Sequence, residues 1–222
     1  MNDKKVLQGL FITSVLIVAA LSITFATADG PGSTIHVYAD GSGDYPTILS
    51  AIENASDGDT IIVGDGIYHE NLIVNKSVSI VGESRNAVID SSGDVINITA
   101  GEVNVSWLTI RNGSIGMLIS GSTNVTISNC NISNNILGVE LNSSSDNNIC
   151  GNNISGNSDD GLWLLHSNNN TISKNVFIKN GDSNVGTGGL NIYSSEGNII
   201  YHNNFMDNYI QAYVSGSILP NT

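Results

Sequence analysis

The residues of this sequence best suited to acid–base chemistry are two adjacent carboxylates, Asp159 and Asp160. Paired carboxylates can divide the work of glycoside hydrolysis, since one protonates the leaving oxygen while the other activates a water. Gly161 follows directly, and Asp and Gly are also the residues that favour turns. The pair is therefore interpreted either as a catalytic site or as a turn that leads into a strand.

The residues that could bind a soft metal are scattered along the chain. They are His36, His69, His166, His202, Cys130, Cys150, Met117 and Met206. None of the Cys and His residues has the short spacing of a metal-binding motif. We therefore predict no metal site and no other cofactor.

A nine-residue repeat indicates the elements that position these residues. Its regular copies begin at Ile127, Ile149, Ile172 and Ile200, and a less regular copy begins at Val105. Periods of this size are typical of solenoids, in which each unit buries its apolar face only by stacking on its neighbours.

Equivalent positions of the repeat carry equivalent residues. The sixth position is apolar: Ile110, Ile132, Ile154, Phe177 and Phe205. The ninth position is Gly or Asn: Gly113, Asn135, Asn157, Asn180 and Asn208. The fourth position is Leu108, Cys130, Asn152, Asn175 and Asn203. Short β-branched runs separated by Asn, Ser and Gly favour strands and turns over helices. Asn tolerates left-handed turns, and stacked amides can bond from layer to layer.

The predicted fold class is all-β, a single-stranded right-handed parallel β-helix with three strands and about 22–23 residues per coil. The two cysteines occupy different positions of successive units. One layer spacing of about 4.8 Å plus two residues along a strand exceeds the reach of a disulfide. We therefore expect free thiols, with Cys130 in the place of an Asn.

Each unit ends in a return strand that begins at a Gly, and its outward side chains form a predicted column. Because side chains alternate along a strand, the column contains Leu118, Glu140, Trp163, Asn191 and Tyr213. Exposed aromatic rings beside a carboxylate and an amide would suit a sugar, with CH groups stacked on the rings. We predict Glu140, Trp163, Asn191 and Tyr213 as a glycan-binding face. The alternative is that Trp163 only covers its neighbours.

The N-terminus has the pattern of a targeting signal. Lys4 and Lys5 precede an apolar run from about Val6 to Phe25, which leads to Ala26-Thr27-Ala28. Residues 1–28 are predicted to be a signal peptide, with an uncleaved membrane anchor as the alternative. Both place the domain outside the cytoplasm, secreted or at the cell surface.

The charge of the chain argues against nucleic acid as a partner. Its formal net charge is −13. Beyond the N-terminal segment only five basic residues remain: Lys76, Arg85, Arg111, Lys174 and Lys179. Phosphate binding requires clustered Lys and Arg. The membrane is expected as a partner only through the N-terminal segment.

A different segment precedes the regular repeats. Residues 35–38 are predicted as a strand, and a short helix that opens at Pro46 has Ile48, Ala51, Ile52 and Ala55 on one face. An amphipathic helix here would cap the solenoid. The predicted organisation is a cap with first strands at 35–77, repeats at 78–214 and a tail at 215–222. Because no second cap follows, self-association through the C-terminal end is also predicted.

The segment Tyr38–Val74, YADGSGDYPTILSAIENASDGDTIIVGDGIYHENLIV, resembles the N-terminal cap of pectin-lyase-fold proteins. The later repeats resemble those of NosD-like proteins and of archaeal-type surface β-helix proteins. The resemblance covers about Ile35–Val214 and implies the β-helix fold. Enzymes, binding modules and structural shafts share that fold, so the resemblance alone does not assign an activity.

The residues of the related enzymes are largely missing. The aspartates of pectin methylesterases have no counterpart, and Arg85 and Arg111 lack the sequence context of a pectate lyase base. Asp159-Asp160 is similar to the aspartate pair of polygalacturonases, but the motifs that accompany that pair are absent. We therefore expect a noncatalytic envelope module that binds a polysaccharide, a surface glycoprotein or a partner protein. The alternatives are a carbohydrate-active enzyme and, from the NosD resemblance, a periplasmic copper-handling protein.

Ten Asn-x-Ser/Thr triplets accompany this extracytoplasmic prediction. Their asparagines are Asn54, Asn75, Asn97, Asn104, Asn112, Asn124, Asn131, Asn142, Asn153 and Asn169. Such triplets accept N-linked glycans on surface residues. An Asn- and Ser-rich repeat also produces them by chance, and a glycan would fit only on an outward side chain.

Overall fold

The computed structural model describes residues 32–184 and 186–216. The predicted signal peptide and most of the predicted tail lie outside these residues. The one helix in this part of the chain is α1 (Ile48–Asn54). The strands are β1 (Thr34–Val37), β2 (Thr60–Val63), β3 (Gly66–Tyr68), β4 (Leu72–Val74), β5 (Ser79–Gly82), β6 (Ala87–Asp90), β7 (Asp94–Ile98), β8 (Asn104–Ser106), β9 (Thr109–Arg111), β10 (Ile115–Ser120), β11 (Thr126–Ser128), β12 (Asn131–Ser133), β13 (Leu137–Asn142), β14 (Asn148–Cys150), β15 (Asn153–Ser155), β16 (Leu162–Leu165), β17 (Thr171–Ser173), β18 (Val176–Ile178), β19 (Gly188–Tyr193), β20 (Ile199–Tyr201), β21 (Asn204–Met206) and β22 (Ile210–Ser215).

The strands form three parallel sheets that run along the length of the molecule. Sheet 1 has the order β1-β2-β5-β8-β11-β14-β17-β20, sheet 2 the order β3-β6-β9-β12-β15-β18-β21, and sheet 3 the order β4-β7-β10-β13-β16-β19-β22. Each coil contributes one strand to each sheet and stacks on the coil before it. The predicted parallel β-helix with three strands per coil is confirmed.

The core is a set of inward columns that extend through the stack. Ile132 pairs in register with Ile154, and Ile154 with Phe177. Phe177 is fully buried, and its ring stacks on that of Phe205 with centroids 4.8 Å apart. The vertical alignment expected from the repeat is therefore confirmed.

The corners between sheets are held by ladders of buried asparagines. Asn175 Oδ1 accepts from both the backbone N–H and the side-chain amide of Asn152 at 3.0 Å, and its own amide donates to Ile149 O at 2.7 Å. Because a buried amide left without partners is costly, this arrangement joins each layer to the next. Cys130 lies in the same column, where its backbone N–H donates to Asn152 Oδ1. Cys130 and Cys150 are both free, as predicted.

Helix α1 covers the first layer of the stack. It begins at Ile48, two residues later than expected from Pro46, because the side chain of Thr47 caps it by accepting from the backbone N–H of Ser50. Ile48, Ala51 and Ile52 are buried against the core, and α1 packs on β1, β2 and β4. The capping role predicted for this segment is confirmed.

Candidate functional site

The predicted glycan-binding residues lie in one column on the outward face of sheet 3. Glu140 pairs in register with Trp163, Trp163 with Asn191, and Asn191 with Tyr213. Leu118 precedes Glu140 in the column. Successive parallel strands are about 4.8 Å apart, so the column presents one side chain per layer along a straight line. We call these five residues the face column.

The exposure of the face column differs from the expectation of an open aromatic surface. Tyr213 is 52% exposed, but Trp163 is only partly exposed, and its Nε1 is buried without a hydrogen-bond partner in the described structure. Glu140 is 7% exposed, although the alternation of side chains along the strand places it on the outward face. Glu140 lies between the large side chains of Leu118 and Trp163 in adjacent layers, which the alternation rule does not take into account.

Burial also changes the chemistry of Glu140. Its Oε1 accepts a hydrogen bond from the amide of Asn142 at 3.1 Å. Burial nevertheless raises the pKa of the Glu140 carboxyl above its usual range, and that hydrogen bond opposes the shift only in part. Beside Trp163, this carboxyl can accept a hydrogen bond from a hydroxyl group.

The Asp159-Asp160 pair lies at the turn before β16, as the turn interpretation expects. Asp160 is buried, and its Oδ1 accepts from the backbone N–H of Gly188 at 2.7 Å. Its Oδ2 accepts from the amide of Asn191 at 2.8 Å. Burial raises the pKa of the Asp160 carboxyl, with opposing contributions from these two hydrogen bonds. Both oxygens of the Asp160 carboxylate thus bind β19, one at its first residue and the other at Asn191. The contact with Asn191 orients a residue of the face column.

The two aspartates are not arranged as a free catalytic pair. Asp159 Oδ1 accepts from the backbone N–H of Asp160 at 2.9 Å, which is a local turn contact. A groove of about 430 Å³ runs along Asn112, Asn134 and Ile136 and reaches Ser158, the neighbour of Asp159. A second groove of about 500 Å³ runs along Cys150 and Lys174.

A second outward column, which the sequence reasoning missed, runs beside the first on sheet 3. Asn142 pairs with Leu165, Leu165 with Tyr193, and Tyr193 with Ser215. Tyr193 is 45% exposed, and the ring of His166 meets it edge-on at 6.0 Å between centroids. Period-two alternation from Asn191 would have identified Tyr193. The face therefore carries three aromatic side chains.

The potential metal ligands do not converge. All four histidines and both cysteines lie in the described residues, yet no three His, Cys, Asp or Glu side chains there come close enough to hold an ion. His69 Nδ1 is 2.8 Å from Asp90 O, and Met117 is fully buried in the core. Among the described residues, no helix is long and apolar enough to span a bilayer.

The chain is similar to proteins from outside the cytoplasm. Residues 52–222 match the family model described as "Periplasmic copper-binding protein (NosD)". A "Cell surface glycoprotein" of Methanothermus fervidus (strain ATCC 43054 / DSM 2088 / JCM 10308 / V24 S) is 34% identical over 94 residues, which are 40% of this chain and 16% of that protein. The chain thus spans about a sixth of the length of this curated relative.

Solved structures agree on the fold. Geobacillus virus E2 ORF18 superposes with a TM-score of 0.62 at 17% identity, over 78% of this chain and 42% of that one. The alginate lyase from Paenibacillus sp. str. FPU-7 superposes with a TM-score of 0.51 at 14% identity, over 77% and 75% of the two chains. Identities this low establish a shared architecture alone. Because the family model matches residues 52–222, which are well over half of the chain, the chain belongs to the NosD family of parallel β-helix proteins.

Proposed function

We propose that this chain is a noncatalytic β-helix module of the cell envelope that binds a glycan along the outward face of sheet 3. The observation that supports this most is the register of Glu140, Trp163, Asn191 and Tyr213 in successive layers. A row of side chains at one layer spacing matches an extended chain of sugars better than a single small molecule. The similarity to a cell surface glycoprotein and to a periplasmic family supports the envelope location.

The chemistry of the face suits sugar rings. Trp163, Tyr193 and Tyr213 supply apolar ring surface for CH groups, and Asn191, Asn142 and Glu140 supply hydrogen-bonding groups. Asn191 Oδ1 is buried without a partner in the described structure. Its amide is fixed by Asp160, so the orientation of the side chain is set before any ligand arrives. Such preorganisation lowers the entropic cost of binding.

The carbohydrate-active enzyme has weaker support. Asp160 would be its acid, but this carboxylate is 4% exposed and both its oxygens already accept hydrogen bonds. A retaining or inverting glycosidase needs two carboxylates that face one bond from opposite sides. A structural role for Asp160 explains its contacts without further assumptions.

Copper handling is implied by the name of the family, and the residues present do not fit it. Copper(I) favours Cys and Met ligands, and copper(II) favours His. Cys130 and Met117 are fully buried in the core. The four histidines contribute to no cluster of three candidate ligands within the described residues. The described residues therefore do not provide a copper site.

Glycan binding is tested on an array with the purified domain, with Trp163→Ala as the decisive variant. We expect the substitution to weaken binding at least tenfold, since aromatic residues dominate such surfaces. Trp107→Ala is the matched control, because Trp107 is 46% exposed but lies at the corner between sheets 1 and 2. Equal binding by wild type and Trp163→Ala would refute the proposal. A reducing-sugar assay on the polysaccharides that bind would reveal the enzymatic alternative.

A further inference from the structure

The ten Asn-x-Ser/Thr triplets differ sharply in what their asparagines do in the folded chain. An amide that carries a glycan must reach solvent, and because the glycosidic bond replaces one of its two N–H groups, an internal hydrogen bond from the other restricts where the sugar can point. The side-chain amides of five asparagines donate internal hydrogen bonds: Asn54 to Ser50 O at 2.9 Å, Asn104 to Ser79 Oγ at 3.3 Å, Asn112 to Asp90 Oδ1 at 2.8 Å, Asn131 to Thr109 Oγ1 at 3.5 Å and Asn142 to Glu140 Oε1 at 3.1 Å.

Two further asparagines have side chains that are partly buried. Asn97 and Asn153 are only partly exposed, and the Oδ1 atom of each is buried. Asn153 also stacks directly on Asn131 in sheet 2, one layer away. Glycans on adjacent layers, about 4.8 Å apart, would collide.

The remaining three asparagines share a different environment. Asn75, Asn124 and Asn169 are exposed, and no hydrogen bond from their side-chain amides is found within the described part of the chain. All three lie at the corner where the chain passes from sheet 3 to sheet 1. Asn75 precedes β5, Asn124 precedes β11 and Asn169 precedes β17.

These three positions occur on every second layer. Sheet 1 has the order β5-β8-β11-β14-β17, so the intervening layers are those of β8 and β14. At the same corner those layers have Glu102 and Asp146, which cannot accept a glycan. Two layers correspond to a separation of about 9.6 Å, which leaves room for a sugar chain at each position.

The backbone of this corner directs the side chains outward. Asn124 and Asn169 have left-handed backbone angles, with φ of 58° and 55°. The next residues, Val125 and Asn170, are buried. The turn therefore places Asn124 and Asn169 on the outside of the corner.

We propose that Asn75, Asn124 and Asn169 are N-glycosylation sites, which place a glycan on every second layer of one corner of the β-helix. A membrane-bound transferase would form a bond from Nδ2 to the anomeric carbon of a lipid-linked oligosaccharide. The bond from that carbon to the lipid phosphate breaks, the phosphate leaves with the electron pair, and the amide loses one proton. The face column lies on sheet 3, whose strands end at this corner.

The test is a peptide map of the protein isolated from its own organism. Chymotryptic and Glu-C peptides are analysed by mass spectrometry for hexose-containing additions. We expect additions on the peptides that contain Asn75, Asn124 and Asn169, and unmodified asparagine at the other seven positions. Absence of sugar from all three, or equal occupancy of Asn131 or Asn153, would overturn the proposal.

Two variants sharpen the result without altering the strained backbone at the asparagines. Thr126→Val and Thr171→Val remove the hydroxyl that the acceptor triplets of Asn124 and Asn169 require. Each is expected to lower the intact mass by one glycan. Ser133→Ala, which abolishes the Asn131 triplet, is the control and should change the mass only by the lost oxygen. If a variant is not secreted, the wild-type peptide map alone still decides.

Discussion

Buried amides determine much of the behaviour of this protein at the scale of single residues. Asn175 is fully buried and connects three groups: the N–H and the side-chain amide of Asn152, and the carbonyl of Ile149. A surface asparagine of the same repeat, Asn131, makes only a 3.5 Å contact to Thr109. Identical residue types in one repeat therefore have very different energetic roles.

Asn175→Ala is expected to lower the free energy of unfolding by roughly 2–6 kcal/mol, because two buried backbone groups lose their partner at about 1–3 kcal/mol each. Urea denaturation measures the change. Asn131→Ala is the matched control and should stay within about 0.5 kcal/mol of wild type. Similar losses in the two variants would show that the ladder is not what stabilises the corners.

The buried carboxyls predict how stability depends on pH. Burial raises the pKa of Glu140 and Asp160 in the folded state, so folding increases the number of bound protons between the unfolded and folded pKa values. The free energy of unfolding should therefore increase as the pH is lowered from 7 towards about 4.5. The pKa of Asp90 is instead lowered, mainly by the hydrogen bond from Asn112 and then by that from Arg111. Its contribution to the free energy of unfolding is therefore lost, not gained, as the pH falls through the folded pKa.

Glu140→Gln tests this pH dependence. Urea titrations between pH 4.5 and 7 should give a smaller increase in stability for the variant than for wild type, because one of the two proton-binding groups is gone. An unchanged slope in Glu140→Gln would rule out Glu140 as a source of the effect.

At the scale of elements, neighbouring strands of sheet 3 approach each other closely at a column of glycines that includes Gly138 and Gly161. We call it the glycine column. A Cβ on Gly138 would lie 2.3 Å from Gly161 O and 2.9 Å from the amide of Asn157. Backbone on one side and a laddered asparagine on the other leave no side chain free to move aside. The glycine column thus sets how tightly the layers stack.

Gly138→Ala is therefore expected to destabilise the fold by about 1–3 kcal/mol or more through overpacking. Gly101→Ala, whose nearest contact would be Thr123 O at 3.0 Å, should cost less. Thermal and urea unfolding of both variants provide the comparison. A greater loss in Gly101→Ala would contradict the proposed role of the glycine column.

At the scale of the whole molecule, the two ends of the described stack differ. Helix α1 covers the first layer, whereas Phe205 and Ile200 in the outermost described layer are only partly buried. Their equivalents one layer earlier, Phe177 and Ile172, are fully buried. Around this layer the outward residues also become apolar, with Ile199 and Tyr201 where the two preceding layers of sheet 1 have Asn, Thr, Ser or Cys.

This layer is expected to promote self-association, since the exposed apolar side chains of Ile199 and Tyr201 favour contact with another copy. Sedimentation velocity of the purified chain should show a sedimentation coefficient that rises with concentration. Tyr201→Ser should reduce the rise, while Trp107→Ala, at a distant corner, should not. A concentration-independent value for wild type would exclude association through this end.

The amino-acid sequence by itself determined the fold, because its period, its inward Ile and Phe positions and its Asn and Gly corners all require stacked layers. Register followed from the same period, so the face column from Glu140 to Tyr213 was predicted residue by residue. The capping helix was also predicted from its apolar face, with an error of two residues at its start because the Thr47 cap was not recognised.

Only the tertiary structure decided how accessible each side chain is and which partners it has. Alternation along a strand gives the direction of a side chain but not the size of its neighbours one layer away. Glu140 therefore proved buried between Leu118 and Trp163. Asp160 proved to hold β19, because its partners Gly188 and Asn191 lie about 30 residues away. In the same way, ten similar triplets became three proposed sites once the structure showed which asparagines are exposed and donate no hydrogen bond within the described residues.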